Sequence, residues 1–134
     1  MYTLIVDTDA ENDLEALKQA NKKAWALVAA FIEQAKADQD LLDRLSQDHY
    51  HDDDYNIRRW IQEWRVGLNL FRLRILALDD LGAAYRIIYA FDPRPQPQCY
   101  YVLGVIPRSF GYDPNDHRTR RMRDAYERLG ITRF

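Results

Sequence analysis

From Phe71 to Ile75 apolar and basic residues alternate strictly, with Phe71, Leu73 and Ile75 on one side of an extended chain and Arg72 and Arg74 on the other. This alternation predicts a half-buried strand over Leu70 to Leu76, and two more strand-like segments follow, Tyr85 to Phe91 and Cys99 to Ile106. The PRPQP connector between the last two cannot go on donating to a ladder, and the short separations favour an antiparallel meander. Before the meander, Tyr2 to Val6 reads as a short strand, and Thr8 with Glu11 three residues later reads as a capping box. Leu14, Leu17, Ala24, Val28, Phe31 and Ala35 then form an apolar stripe that predicts one long helix ending near Asp38, widened by Trp25, Leu27 and Ile32. Leu41, Leu42 and Leu45 predict a shorter helix running back across it. Ile57, Trp60, Ile61 and Trp64 recur at i, i+3, i+4 and i+7, the spacing of a short helix with its apolar face on the core. Near the end, Asp116 is placed to cap a helix whose stripe is Met122, Tyr126 and Leu129, with Gly130 as its stop. Strand, helices and meander together predict an α+β fold.

Composition adds limits to this picture. With 134 residues, 47% of them hydrophobic, the chain is the size of one domain, 1–134, with a single core. Cys99 is the only cysteine, which rules out an intrachain disulfide and a cysteine-rich zinc cluster; it reads as a small buried strand residue in a protein of the reducing cytoplasm. The apolar run from Ala24 to Ile32 falls short of the roughly 20 residues a membrane-spanning helix needs, and the N-terminus has no signal-peptide pattern. The net charge of −2 conceals an asymmetry: residues 1–54 carry 5 basic and 13 acidic side chains, a balance of −8, against 14 and 8, or +6, in residues 55–134. A polyanion would meet the second part, where arginines recur at strand spacing.

Two other groups bear candidate chemistry. HYHDDDY, residues 49–55, gathers two imidazoles and three carboxylates that could ligate a divalent metal, but without the helical His spacing of a zinc hydrolase it reads more simply as a solvated polar loop. Trp60 and Trp64 could stack on a nucleic-acid base, although core packing accounts for them more simply. In the last helix Arg118, Arg120, Arg121 and Arg123 read first as a solvated face, and His117 as a surface residue at the helix start.

Four segments, LFRLRI, YRIIYAFD, YYVLGVI and PRSFGY, taken together resemble the RelE/ParE toxin superfamily, above all its RelE-type messenger-RNA interferases. The resemblance is strongest from Leu70 to Tyr112, and at the level of architecture it extends over most of the chain. It implies a compact domain in which an N-terminal strand and helices pack on an antiparallel sheet. It also implies the toxin component of a toxin-antitoxin system, a cytoplasmic endoribonuclease that cleaves messenger RNA without a metal or other cofactor, often on the ribosome. The positions that match are Arg72 and Arg74, which would guide the RNA backbone, Arg86 and Arg108, which would stabilise the scissile phosphate, and Tyr112, which would stack on a base or assist proton transfer. Structural ion pairs with the acidic N-terminal part are the alternative role for Arg86 and Arg108. The implied partners are messenger RNA, the ribosome and a cognate antitoxin protein. Two other outcomes remain open: a ParE-like gyrase inhibitor that cleaves nothing, and an inactive member of the superfamily that serves as a binding module.

Overall fold

The structure is a computed structural model that describes residues 1–134. Five strands, β1 (Tyr2–Val6), β2 (Tyr55–Arg59), β3 (Leu70–Ile75), β4 (Tyr85–Asp92) and β5 (Gln98–Pro107), form one sheet in the order β1-β5-β4-β3-β2. Every neighbouring pair is antiparallel except β1 and β5, so the sheet is mixed rather than purely antiparallel as expected. The α+β class and the meander of β3, β4 and β5 are as the sequence pattern predicts.

The long N-terminal helix is in fact two helices, α1 (Thr8–Ala20) and α2 (Lys22–Ala37), because Asn21 leaves helical geometry, with φ −155° and ψ 91°, and its side chain accepts from Ala24 N at 3.1 Å. Asn21 therefore closes one helix and caps the next. The cap of α1 is Asp7 rather than Thr8, and Asp38 caps the short α3 (Gln39–Arg44) by accepting from Leu41 N.

The region after the acidic loop differs most from expectation. Tyr55–Arg59 is strand β2, and only Ile61–Trp64 (α4) is helical. Ile57 is buried on one face of the sheet and Trp60 in the core on the other, while Ile61 is 43% exposed, so the helical spacing of these residues does not describe a single apolar face. Another short helix, α5 (Leu76–Asp80), fills the connection between β3 and β4.

Side-chain alternation divides the core in two. Ile57, Phe71, Leu73, Ile87, Tyr89, Tyr100 and Val105 face a layer made of α1, α2, α3 and α5. Leu70, Ile88, Ala90, Leu103 and Ile106 face the other way, toward α4 and α6 (His117–Arg128), which contributes Met122, Ala125 and Tyr126. Gly104 lets α6 lie close to β5, since a Cβ there would sit 2.8 Å from the Met122 sulfur.

Two arginines of the basic part end in ion pairs with the acidic part of the chain. Arg121 of α6 donates to Asp13 at 2.9 and 2.6 Å, and Arg128 to Asp7 at 3.0 and 3.2 Å. Arg118 pairs with Asp116 and Arg123 with Glu63, so α6 presents its arginines mainly to its own protein, with Arg120 left exposed. Both edges of the sheet are occupied as well. Gln39 pairs with the Tyr2 backbone N–H and carbonyl on the β1 side, and Tyr50 O, Asp48 and Asp52 accept from Ile57, Arg59 and Tyr55 N–H groups on the β2 side. The β2 edge is thus blocked at Tyr55, Ile57 and Arg59, and the β1 edge at Tyr2.

Asp116 caps α6 by accepting from Arg118 N at 2.8 Å; the Arg118 guanidinium, and next this backbone N–H, hold its carboxyl down at about 2. The native state thus binds this proton more weakly than the unfolded chain, so the charge stabilises the fold above about pH 4, and the benefit is lost as pH falls toward about 2. An Asp116→Asn variant keeps a capping oxygen but no charge. In denaturant titrations its midpoint is expected to lie below that of the wild type at neutral pH and to converge on it through that acidic window.

Candidate functional site

The face that α6 covers over β4 and β5 is left open over the other half of the sheet, and there the alternation places arginines. Asn56 and Arg58 of β2, Arg72 and Arg74 of β3, Arg86 of β4 and Arg108 of the 3-10 turn Arg108–Phe110 line a single cleft of about 180 Å³ with no hydrophobic side chain in its lining. The register explains the convergence. Arg58 lies directly opposite Arg72 and Asn56 directly opposite Arg74; the Leu73–Ile87 pair puts Arg86 one step on, level with Arg74. Arg86 pairs in turn with Ile106, two residues before Arg108.

One carboxylate answers these five guanidinium groups. Asp79 of α5 receives a close hydrogen bond from Arg74 Nε and a longer one, 3.4 Å, from Arg86 Nη1. Arg86 is only 6% exposed and also donates to its neighbour's carbonyl, Tyr85 O, at 3.0 Å, which fixes its head group at the base of the cleft. Arg58, Arg72 and Arg108 have no carboxylate within 4.0 Å. Like charges directly opposed on neighbouring strands destabilise a sheet, by up to about 1 kcal/mol a pair, so the Arg58–Arg72 pair makes little sense as a stabilising device. It makes sense where an anion is to be held between the two.

Four of the five residues singled out in the sequence, Arg72, Arg74, Arg86 and Arg108, are brought together here. The ion-pair alternative for Arg86 and Arg108 does not involve the acidic N-terminal part: Arg86 pairs with Asp79, and Arg108 has no carboxylate partner. Tyr112 lies outside the arginine cleft, in an adjoining cavity that shares Arg72 and is lined also by Arg59, Trp60 and Arg65. Its ring sits beneath the Arg72 guanidinium, 4.8 Å from it, and packs against Trp60 and Phe110 with centroids 5.5 and 4.6 Å away. Its hydroxyl is buried without a hydrogen-bond partner, and its backbone is left-handed, φ 55°. The direct consequence of this placement is that Tyr112 holds Arg72 in position through a cation–π contact.

Asn56 and Arg58 escape the sequence reading because the helical spacing from Ile57 to Trp64 competes with the apolar-polar alternation of YNIRR, which carries the strand signal. Asp79 was missed because no local pattern links it to arginines on two other elements. The HYHDDDY loop forms no group of three or more His, Cys, Asp or Glu side chains positioned to hold a metal ion. Asp52 serves the backbone instead, accepting from Asp54 N and Tyr55 N, and Tyr50 donates to it. Cys99 is buried, and His117 is exposed at the start of α6.

Chemically the cleft can bind an oxyanion bearing more than one charge. Guanidinium groups stay protonated and offer forks of donors suited to phosphate oxygens. No helix of the chain is long and apolar enough to cross a membrane. Compared with protein-family models, with curated proteins and with solved structures, the chain finds no match.

Proposed function

We propose that this protein is a toxin-type endoribonuclease that binds the phosphate backbone of messenger RNA in the arginine cleft and cleaves it. The observation that supports this reading best is the set of five convergent arginines with one internal carboxylate between them. A cleft lined only by arginines and one asparagine suits phosphate groups, whereas a drug-sized small-molecule site would be larger and largely apolar.

The chemistry is attack by a ribose 2'-hydroxyl on the neighbouring phosphorus. Charge builds on the nonbridging oxygens as the attack proceeds, and guanidinium groups already fixed in place stabilise it without reorganising. Arg86, anchored by Asp79 and Tyr85 O, and Arg108, without a carboxylate partner at the cleft edge, are assigned to the scissile phosphate. Arg58, Arg72 and Arg74 are assigned to the flanking backbone, with Arg72 propped on Tyr112. Because these cations supply the charge stabilisation, the reaction requires no metal. The partners under this reading are messenger RNA, the ribosome that presents it, and an antitoxin whose acidic side chains compete for the same arginines.

Binding should depend steeply on salt. Each phosphate neutralised on a single strand contributes about 0.7 to the slope of log affinity against log salt concentration. The Arg58→Gln, Arg72→Gln double variant should therefore bind a noncleavable RNA more weakly and with a slope shallower by about 1.4. An unchanged slope in a salt titration would remove these two side chains from the RNA contact.

A further inference from the structure

An RNA-cleaving cleft must accept a proton from the attacking hydroxyl, and its arginines, always protonated, cannot do so. Asp79 lies between Arg74 and Arg86 and is committed to both, and Asn56 has no basic atom. Tyr112 lies in the adjoining cavity with its hydroxyl buried. The missing group is found by following the cleft to its other rim. There a second cavity, of about 270 Å³, shares Asn56 and Arg58 with the cleft and is lined also by His49, Tyr50 and His51.

The backbone places His51 in particular. It forms an antiparallel bridge with Asn56, which itself stands directly opposite Arg74. Residues directly opposed in antiparallel pairing project to the same face, with Cβ atoms about 5 Å apart. His51, Asn56, Arg74 and Arg86 are therefore successive members of one row across the sheet, on the face that carries the cleft. His51 is exposed, and its Nδ1 lies 3.3 Å from the His49 carbonyl oxygen. A carbonyl can only accept, so that contact assigns the hydrogen of the neutral ring to Nδ1 and leaves Nε2 with its lone pair free. His49 has a different engagement: its Nε2 is 3.4 Å from Asp48 Oδ2, and its backbone takes the left-handed conformation, φ 65°, that turns the loop.

We propose that His51 is the general base of the cleft, accepting the 2'-hydroxyl proton on Nε2. This assignment rests on the ribonuclease reading and specifies how that site works. As the proton passes to Nε2, the 2'-oxygen forms its bond to phosphorus and the bond to the 5'-oxygen breaks. The leaving oxygen takes a proton from solvent, His51 returns its own to solvent, and the products are a 2',3'-cyclic phosphate and a 5'-hydroxyl. The charged and titratable groups around His51 are Arg58 and, beyond Asn56, Arg74 from the sheet, with His49, Tyr50 and Asp52 from its own loop.

The test measures single-turnover cleavage of an RNA between pH 5 and 8 for wild type, His51→Gln and His49→Gln. In parallel, binding of the same sequence with a 2'-deoxy residue at the cut is measured. The expected result is a wild-type rate that rises with pH across this range. His51→Gln should be slower by about 100-fold at neutral pH and lack that rise, with binding of the deoxy analogue unchanged. His49→Gln should keep the wild-type rate and profile. A His51→Gln rate within a few-fold of wild type, with the same pH profile, would overturn the assignment and leave the ribonuclease reading standing. A wild-type protein that binds the RNA without cutting it would overturn both.

Discussion

Replacing Arg86 with alanine is expected to lower RNA cleavage about 100- to 1,000-fold, the usual cost of removing one fixed donor from a developing oxyanion. Arg86 combines two features found in no other member of the cleft: it is almost fully buried, and its head group is held from two sides, by Asp79 and by Tyr85 O. A donor fixed in this way loses little freedom when the transition state forms. In Arg86→Ala the Asp79 carboxylate keeps its contact with Arg74, so no buried charge is stranded and the fold should survive. Arg86→Lys should recover only part of the lost rate, because an ammonium cannot bond Asp79, Tyr85 O and a phosphate oxygen through one planar fork. Single-turnover rates, with an unfolding curve for each variant, check this. Full activity in a folded Arg86→Ala protein would remove Arg86 from the mechanism.

The largest effect on stability is expected away from the cleft, where α6 is fastened to α4. Glu63 on α4 is 1% exposed, and its only charged partner is Arg123, which donates from Nε at 2.9 and 3.1 Å and from Nη2 at 2.8 Å. Arg123→Ala leaves that carboxylate in the core without a counterion. Breaking a fully buried pair costs about 3–5 kcal/mol; the Arg123 side chain is 37% exposed, so water can reach the vacated site, and about 2 kcal/mol is the expected loss. Replacing both partners with leucine should recover most of it, since removing the pair removes the burial penalty along with the attraction. Urea unfolding of the two variants decides the matter, and an Arg123→Ala midpoint equal to wild type would mean that Glu63 takes up a proton or finds another partner.

How much of this was legible in the sequence depends on whether each signal was local. The strict alternation of FRLRI settled β3 and the face its arginines share, and Asp116 and Gly130 marked the ends of α6 because caps and stops act within one turn. Asn21 was not legible as a break, since the apolar stripe keeps its period through Leu17 and Ala24, and only the side-chain cap on Ala24 N reveals the change of direction. Strand β2 was obscured because Ile57, Trp60, Ile61 and Trp64 fit a helical period as well as Tyr55, Asn56, Ile57 and Arg58 fit a strand. That ambiguity hid Asn56 and Arg58, and with them the row that leads to His51. Asp79 and the seat of Tyr112 beneath Arg72 depend on contacts between elements, which no spacing within one element reports.

The measurement that bears most directly on the account is a map of RNA ends bearing 2',3'-cyclic phosphate in bacteria after induction of the protein or of its Arg86→Ala, Arg108→Ala double variant. The account predicts new cyclic-phosphate ends within messenger RNA for wild type, more abundant on ribosome-engaged transcripts, and none for the folded double variant. Growth arrest by the wild-type protein with no new ends, or equal cutting by both proteins, would contradict it.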